Sequence, residues 1–168
     1  MKTCKTKTNV WLDCDPGHDD MFAIILAALS EEINLLGIST SAGNSTIQHT
    51  TQNALNILAE IGRTDIKVYK GSKDPLCAEL QTATEFHGET GLSGANLKIS
   101  PERAIEKNVF WEIYNIISTC EKKVNFVVTG AMTNLAIIIK AFPDFLSYLE
   151  GITIMGGAIG LGNMSPSA

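Results

Sequence analysis

Asn9-Val10-Trp11-Leu12-Asp13-Cys14, then Asp15-Pro16-Gly17, then His18-Asp19-Asp20-Met21-Phe22-Ala23-Ile24-Ile25-Leu26-Ala27-Ala28-Leu29-Ser30, is the stretch whose reading decides the fold. Its first six residues are of β type and stop at Pro16-Gly17, a turn signal. Behind the turn, Met21, Phe22, Ile24, Ile25, Leu26 and Leu29 cover nearly every face of a helix, which predicts a helix buried on most sides.

The same alternation continues outward. Ile33–Ser39 reads as a second strand, Gly43-Asn44 as a turn, and Ser45 as the N-cap of a helix carrying Ile47, Leu55, Leu58 and Ile61 and ended by Gly62. Lys67–Tyr69 reads as a third strand. Lys70–Ile99 is rich in Gly, Ser and Thr with little periodicity, and loops of that length are usually functional or disordered. Ser100-Pro101-Glu102 has the form of a cap, a first-turn proline and a dipole-favourable acid, predicting a helix through Ile105, Val109, Ile113, Ile116, Ile117 and Cys120. Val124–Val128 is a fourth strand, about Met132–Ala141 a helix stopped by Pro143, and Gly151–Met155 a fifth strand running into Gly156-Gly157. The expectation is one α/β domain over residues 1–168, a Rossmann-like, doubly wound, mostly parallel sheet flanked by helices.

Composition narrows the function classes. A chain of 168 residues with 45% hydrophobic and 18% charged residues is of ordinary globular make-up, and intrinsic disorder is not its main state. The net charge of −5 and a single adjacent basic pair, Lys122-Lys123, leave no basic stripe for nucleic acid. The longest apolar stretch, Met21–Leu29, is about half of what a bilayer span needs, so no membrane partner is expected. The basic start, Met1–Lys7, is followed by an apolar run broken at Asp13 and Asp15, without a small-residue cleavage site, and the expected location is cytoplasmic. Cys4, Cys14, Cys77 and Cys120 include no C-x-x-C pair, fitting neither a zinc site nor a disulfide scaffold.

In doubly wound sheets ligands bind outside the carboxyl ends of the strands. Polar residues collect there: Asp13, Asp15, Asp19 and Asp20 after the first strand, Asn44 after the second, Thr129 after the fourth. Four carboxylates within eight residues repel one another, and the strongest compensation is a hard divalent cation bound through oxygen. Asp13 and Asp15 point to the same side if the strand extends through both, and Asp19 and Asp20 fall in the first helical turn, where the dipole favours their ionised forms. A carboxylate beside a cation-held water is placed to act as general base. The plain alternative is a helix cap with surface acids. Two functional alternatives also stand: a magnesium-dependent phosphotransferase or phosphatase using Asp13 and Asp15, and a non-catalytic metal-binding module. Against the former, Asp19 and Asp20 would repel phosphate. The glycines of Gly156–Gly162 do not match a dinucleotide-binding spacing, and no P-loop occurs.

Asp13–Asp20 resembles the N-terminal signature of the inosine-uridine preferring nucleoside hydrolases. The resemblance extends in family order through Gly43-Asn44, Phe86-His87-Gly88-Glu89-Thr90-Gly91, Thr129-Gly130-Ala131-Met132-Thr133-Asn134 and Ile154-Met155-Gly156-Gly157, with Gly162-Asn163 shortly after. It implies hydrolysis of the N-glycosidic bond of a purine or pyrimidine ribonucleoside to ribose and free base, with a bound calcium ion, in a homo-oligomer. By the same resemblance Asp15, Asp20 and the backbone carbonyl of Thr129 are metal ligands, and Asp19 is the base that activates a calcium-bound water. It also makes Asn44 a ribose contact, His87 and Met155 pocket residues, Asn163 a contact to the 5′ side of ribose, and Asp13 a support behind the ligands. Because the Thr129 role uses a carbonyl, substituting its side chain is expected to do little. His18 and His49 receive no role.

The chemistry agrees with that assignment: oxocarbenium character on the sugar calls for water on one face, firm hold of the hydroxyls and a proton for the leaving group. The resemblance stops at Ser165-Pro166-Ser167-Ala168, before the family's Glu-Phe-Asn segment. The C-terminal half, with a further metal-ligand Asp and a His linked to leaving-group activation, is not in this sequence. A fragment with half a site is expected, exposing surface that the other half would cover.

Overall fold

A computed structural model describes residues 7–157 and Ile159. Five strands, β1 (Thr8–Cys14), β2 (Ile33–Thr40), β3 (Val68–Lys70), β4 (Val124–Val128) and β5 (Leu149–Ile154), form one sheet in the order β3-β2-β1-β4-β5. Every pairing is parallel. The helices are α1 (His18–Leu29), α2 (Ile47–Glu60), the short α3 (Thr84–His87), α4 (Val109–Ser118) and α5 (Thr133–Ala141), with a 3-10 turn at Phe145–Tyr148.

Parallel neighbours need crossover connections, and the crossovers cover both faces of the sheet. On one face Leu12, Cys14, Ile38 and Val68 pack against Ile24 and Ala28 of α1 and Ala54, Leu55, Ile57 and Leu58 of α2. On the other, Trp11, Phe126 and Val128 pack against Val109, Ile113 and Ile117 of α4 and Leu135 and Ile138 of α5. Consecutive residues of β1 serve opposite layers, so the central strand is an unbroken buried run from Val10 to Cys14. The strand order reverses direction between β1 and β4, and the crevice at such a switch point is where ligands bind in this architecture.

Three expectations are corrected. Helix α1 packs on α2 along one flank, but Phe22, Leu26 and Leu29, at i, i+4 and i+7, are 68%, 70% and 54% exposed, so it carries an outward apolar stripe rather than being buried on most sides. The expected helix from Ser100 starts only at Val109. Ser100 does act locally as a cap, its hydroxyl accepting the Glu102 N–H, but Ile105 donates to the Val68 carbonyl and accepts from Lys70 N–H at the sheet edge, which takes its backbone groups out of any helix. Asn108, at φ 52°, makes the break before α4. The N-cap of α2 is Thr46 rather than Ser45; the Ser45 hydroxyl instead donates to the Glu89 carbonyl at 2.7 Å, tying α2 to the long loop.

At the opposite edge β5 is covered only at Leu149, and Ile152 and Ile154 are exposed. Among the described residues no helix is long and apolar enough to cross a membrane. Cys14, Cys77 and Cys120 are free thiols.

Candidate functional site

The crevice between the carboxyl ends of β1 and β4 gathers the acids that the sequence singled out. Strand β1 ends at Cys14, so Asp13 is its penultimate residue and Asp15 lies just beyond it. Asp13 is fully buried, with Oδ2 accepting from the Ser39 hydroxyl at 2.5 Å and from Asn134 Nδ2 at 3.0 Å. Its Oδ1 is buried without any partner. Asp15, 7% exposed, accepts the Asn44 N–H through Oδ2 at 2.8 Å. Asp20, in the first turn of α1, is buried and accepts through Oδ2 from Gly17 N–H at 3.0 Å and from Asn44 Nδ2 at 3.1 Å. Asp19, one residue earlier in the same turn, is exposed.

Thr129, just past β4, donates its hydroxyl to Asp20 Oδ1 at 2.6 Å. The side chain thus has a partner of its own in the cluster, beside the carbonyl that the sequence reading used. The next residue must be glycine: a Cβ at Gly130 would sit 2.6 Å from Asp15 Oδ1 and 2.8 Å from Asp15 N. Asn44 braces two acids, its side-chain amide donating to the Asp15 carbonyl at 3.0 Å as well as to Asp20.

The electrostatics are one-sided. Burial pushes the Asp13 carboxyl up to about 7 against the hydrogen bonds of Ser39 and Asn134, and pushes Asp15 up to about 8, with Asp20 adding repulsion. Asp20 is raised by the same burial, partly offset by the Thr129 and Gly17 hydrogen bonds. The buried Cys14 thiol is raised too, by burial first and then by its three acidic neighbours. None of the ion pairs among the described residues, Arg63–Asp65, Lys70–Glu106 and Lys73–Asp74, reaches this cluster. Three buried carboxylates with no lysine or arginine partner among the described residues, one with an orphaned oxygen and Asp20 with only His87 as a basic neighbour, form a donor set that suits a hard divalent cation. With their oxygens turned to Asn44, Gly17 and Thr129, the described residues do not form a closed cage of three or more acidic, His or Cys ligands.

The other expected residues fall around this centre. Helix α3, within the long loop, carries His87 over the start of α1, where His87 Nδ1 accepts the His18 N–H at 3.3 Å. Met155 follows β5 with its N–H donating to the Val128 carbonyl at 2.8 Å and its side chain 53% exposed. Asn163 lies outside the described residues. A cleft of about 450 Å³ opens beside Asp15, lined by Ala42, Asn44, Leu80, Ala83 and Ala131 among others. A larger groove of about 510 Å³ between α2 and the 102–106 segment contains none of the four aspartates.

Sequence reasoning missed Ser39 and Asn134, which hold Asp13. Asn134 Nδ2 also donates to the Thr40 carbonyl, and its Oδ1 accepts the Ser72 N–H, so one buried amide joins β1, β2 and the loop after β3. Asn134 lay inside a quoted motif, but nothing local marks a partner 121 residues away.

The family model described as inosine-uridine preferring nucleoside hydrolase matches residues 10–168. Among curated relatives, a protein named pyrimidine-specific ribonucleoside hydrolase RihA from Shewanella woodyi is 45% identical over 158 residues, covering 94% of this chain and 50% of the relative. A RihA from Escherichia coli is 42% identical over 162 residues, covering 95% and 51%. The solved structure of a purine-preferring ribonucleoside hydrolase from Gardnerella vaginalis superposes with a TM-score of 0.87 at 30% identity, covering 95% of this chain and 52% of that one. The chain spans about half the length of the relatives it matches, and it belongs to the inosine-uridine preferring nucleoside hydrolase family.

Proposed function

We propose that this chain, as a member of the nucleoside hydrolase family, carries the catalytic half of a site that hydrolyses the N-glycosidic bond of ribonucleosides to ribose and free base. The observation that carries the proposal is the buried cluster of Asp13, Asp15 and Asp20, without a lysine or arginine partner among the described residues, at the sheet's switch point beside an exposed Asp19. The relatives at 42–45% identity are named pyrimidine-specific, which puts uridine ahead of inosine as substrate.

Asp15, Asp20 and the Thr129 carbonyl would hold a calcium ion, with Asp13 as their support and the Asn44 amide bracing the two ligand carboxylates. Calcium, when bound, supplies an acidified water and a grip on the ribose hydroxyls. Asp19, free of the hydrogen bonds that tie Asp20, takes the proton from the attacking water at a carboxylate oxygen. Asn44, His87, Met155 and Asn163 would contact the nucleoside, and the outward stripe on α1 supports a homo-oligomer or another covering chain. A cytoplasmic location belongs to the same reading. The phosphotransferase alternative is not favoured: the family match points elsewhere, and among the described residues no lysine or arginine is paired with the acids.

The test is ribose release from uridine and inosine by the purified chain, with calcium or chelator, beside Asp19→Asn. Chelator-sensitive release that Asp19→Asn abolishes supports the proposal. Calcium binding without turnover favours the non-catalytic binding module instead.

A further inference from the structure

His18 received no role from the sequence, yet the fold sets it against His87 in three ways. Its backbone N–H points at His87 Nδ1 at 3.3 Å, its ring Nδ1 lies 3.2 Å from the same atom, and its Nε2 lies 3.2 Å from the Ser93 carbonyl. The two rings stack, with centroids 5.5 Å apart and planes at 21°. Ser93 N–H in turn donates to the His87 carbonyl at 3.1 Å, so the loop closes on itself and the His18 ring touches both of its ends. Gly17 permits this approach: a Cβ there would meet His87 Nδ1 at 2.8 Å.

The backbone contact fixes the polarity at His87. A backbone N–H can only donate, so His87 Nδ1 must offer its lone pair, and the proton of a neutral His87 ring then sits on Nε2. The ring contact agrees with this when a neutral His18 carries its proton on Nδ1 and donates it to the same lone pair; His18 Nε2 then has no hydrogen for the Ser93 carbonyl, so the two ring contacts compete for one proton, which is assigned here to the His87 contact. Nε2 of His87 has no hydrogen-bond partner among the described residues, which leaves it as the ring's open edge. We propose that His18 is a positioning residue that orients His87 and holds it as the Nε2–H tautomer, so that His87 presents an N–H donor to a ligand. The proposal rests on the reading of His87 as a nucleoside contact only for the ligand's identity. The tautomer itself is a property of the chain alone.

The test is therefore spectroscopic and separate from turnover. The chain has three histidines, so long-range proton–nitrogen correlation spectra of the 168-residue protein are assignable by single substitutions. At about pH 8.5, well above the ordinary imidazole range, wild-type His87 is expected as Nε2–H. His18→Phe keeps a stacked ring but removes both ring contacts, and the ratio of Nε2–H to Nδ1–H at His87 should fall about five- to tenfold, the worth of one hydrogen bond. His18→Asn, whose amide N–H can stand in for Nδ1–H, should retain the ratio. Unchanged His49 signals show that a variant is folded. His87 found as Nδ1–H in the wild type, or a ratio unmoved by His18→Phe, would overturn the proposal, whereas absence of ribose release would overturn the hydrolase reading alone.

Discussion

Replacing Asp13 by Asn should make the stability of this protein less sensitive to alkali. The Asp13 carboxyl is fully buried and its folded value, about 7, lies above the ordinary value of 3.8. A raised carboxyl binds its proton more tightly in the folded chain than in the unfolded one. Its contribution is therefore complete at pH below 3.8 and is lost as pH climbs through 7. At about 1.4 kcal/mol per unit, the carboxylate costs roughly 1–2 kcal/mol at pH 5 and roughly 4 kcal/mol at pH 8. Asn keeps an oxygen for Ser39 and Asn134 but places an amide N–H where Oδ1 has no partner, a pH-independent cost of about 1–3 kcal/mol. Urea denaturation in chelator should find the two chains similar at pH 5. At pH 8 the Asn variant should have gained about 3 kcal/mol on the wild type. A difference that does not change between the two pH values would refute the claim that a buried, cation-free acid limits stability here.

Three further outcomes follow from the same geometry. Thr129→Val removes the 2.6 Å hydrogen bond to Asp20 and should weaken calcium binding and cost about 1.5–3 kcal/mol by thermal unfolding, while Thr129→Ser should be near neutral; equal behaviour of the two would remove the hydroxyl from the site. Gly130→Ala forces a Cβ into Asp15 and should destabilise by about 1–3 kcal/mol, read by urea titration against the open-space control Gly94→Ala, whose own φ of 91° reports backbone strain alone. Leu26→Lys on the α1 stripe should shift the sedimentation distribution toward monomer, and an unchanged distribution would exclude the stripe as a contact.

The strand-turn-helix unit at the start of the chain was legible because its signals are local: an unbroken β-type run, Pro16-Gly17, and an apolar helix. Proximity of the four aspartates followed from the same unit, and the sheet order then placed Thr129 and Gly130 beside them. What stayed hidden depends on distant partners. Ser100-Pro101 read as a helix start, and its cap does form, but Ile105 is captured by β3, a pairing that no window around it can reveal. Asn134 and Ser39 looked like ordinary polar residues until β1, β2 and α5 converged on Asp13. The apolar count of α1 was right for a core helix, but periodicity does not say which flank a neighbour will cover, and Phe22, Leu26 and Leu29 lie on the open one.

The most direct test of the central claim, that the acids at the switch point form a divalent cation site, is calorimetric titration of the chain with calcium at pH 8. One calcium per chain is predicted, with binding lost in both Asp15→Asn and Asp20→Asn. No binding by the wild type, or binding that survives both substitutions, would contradict it.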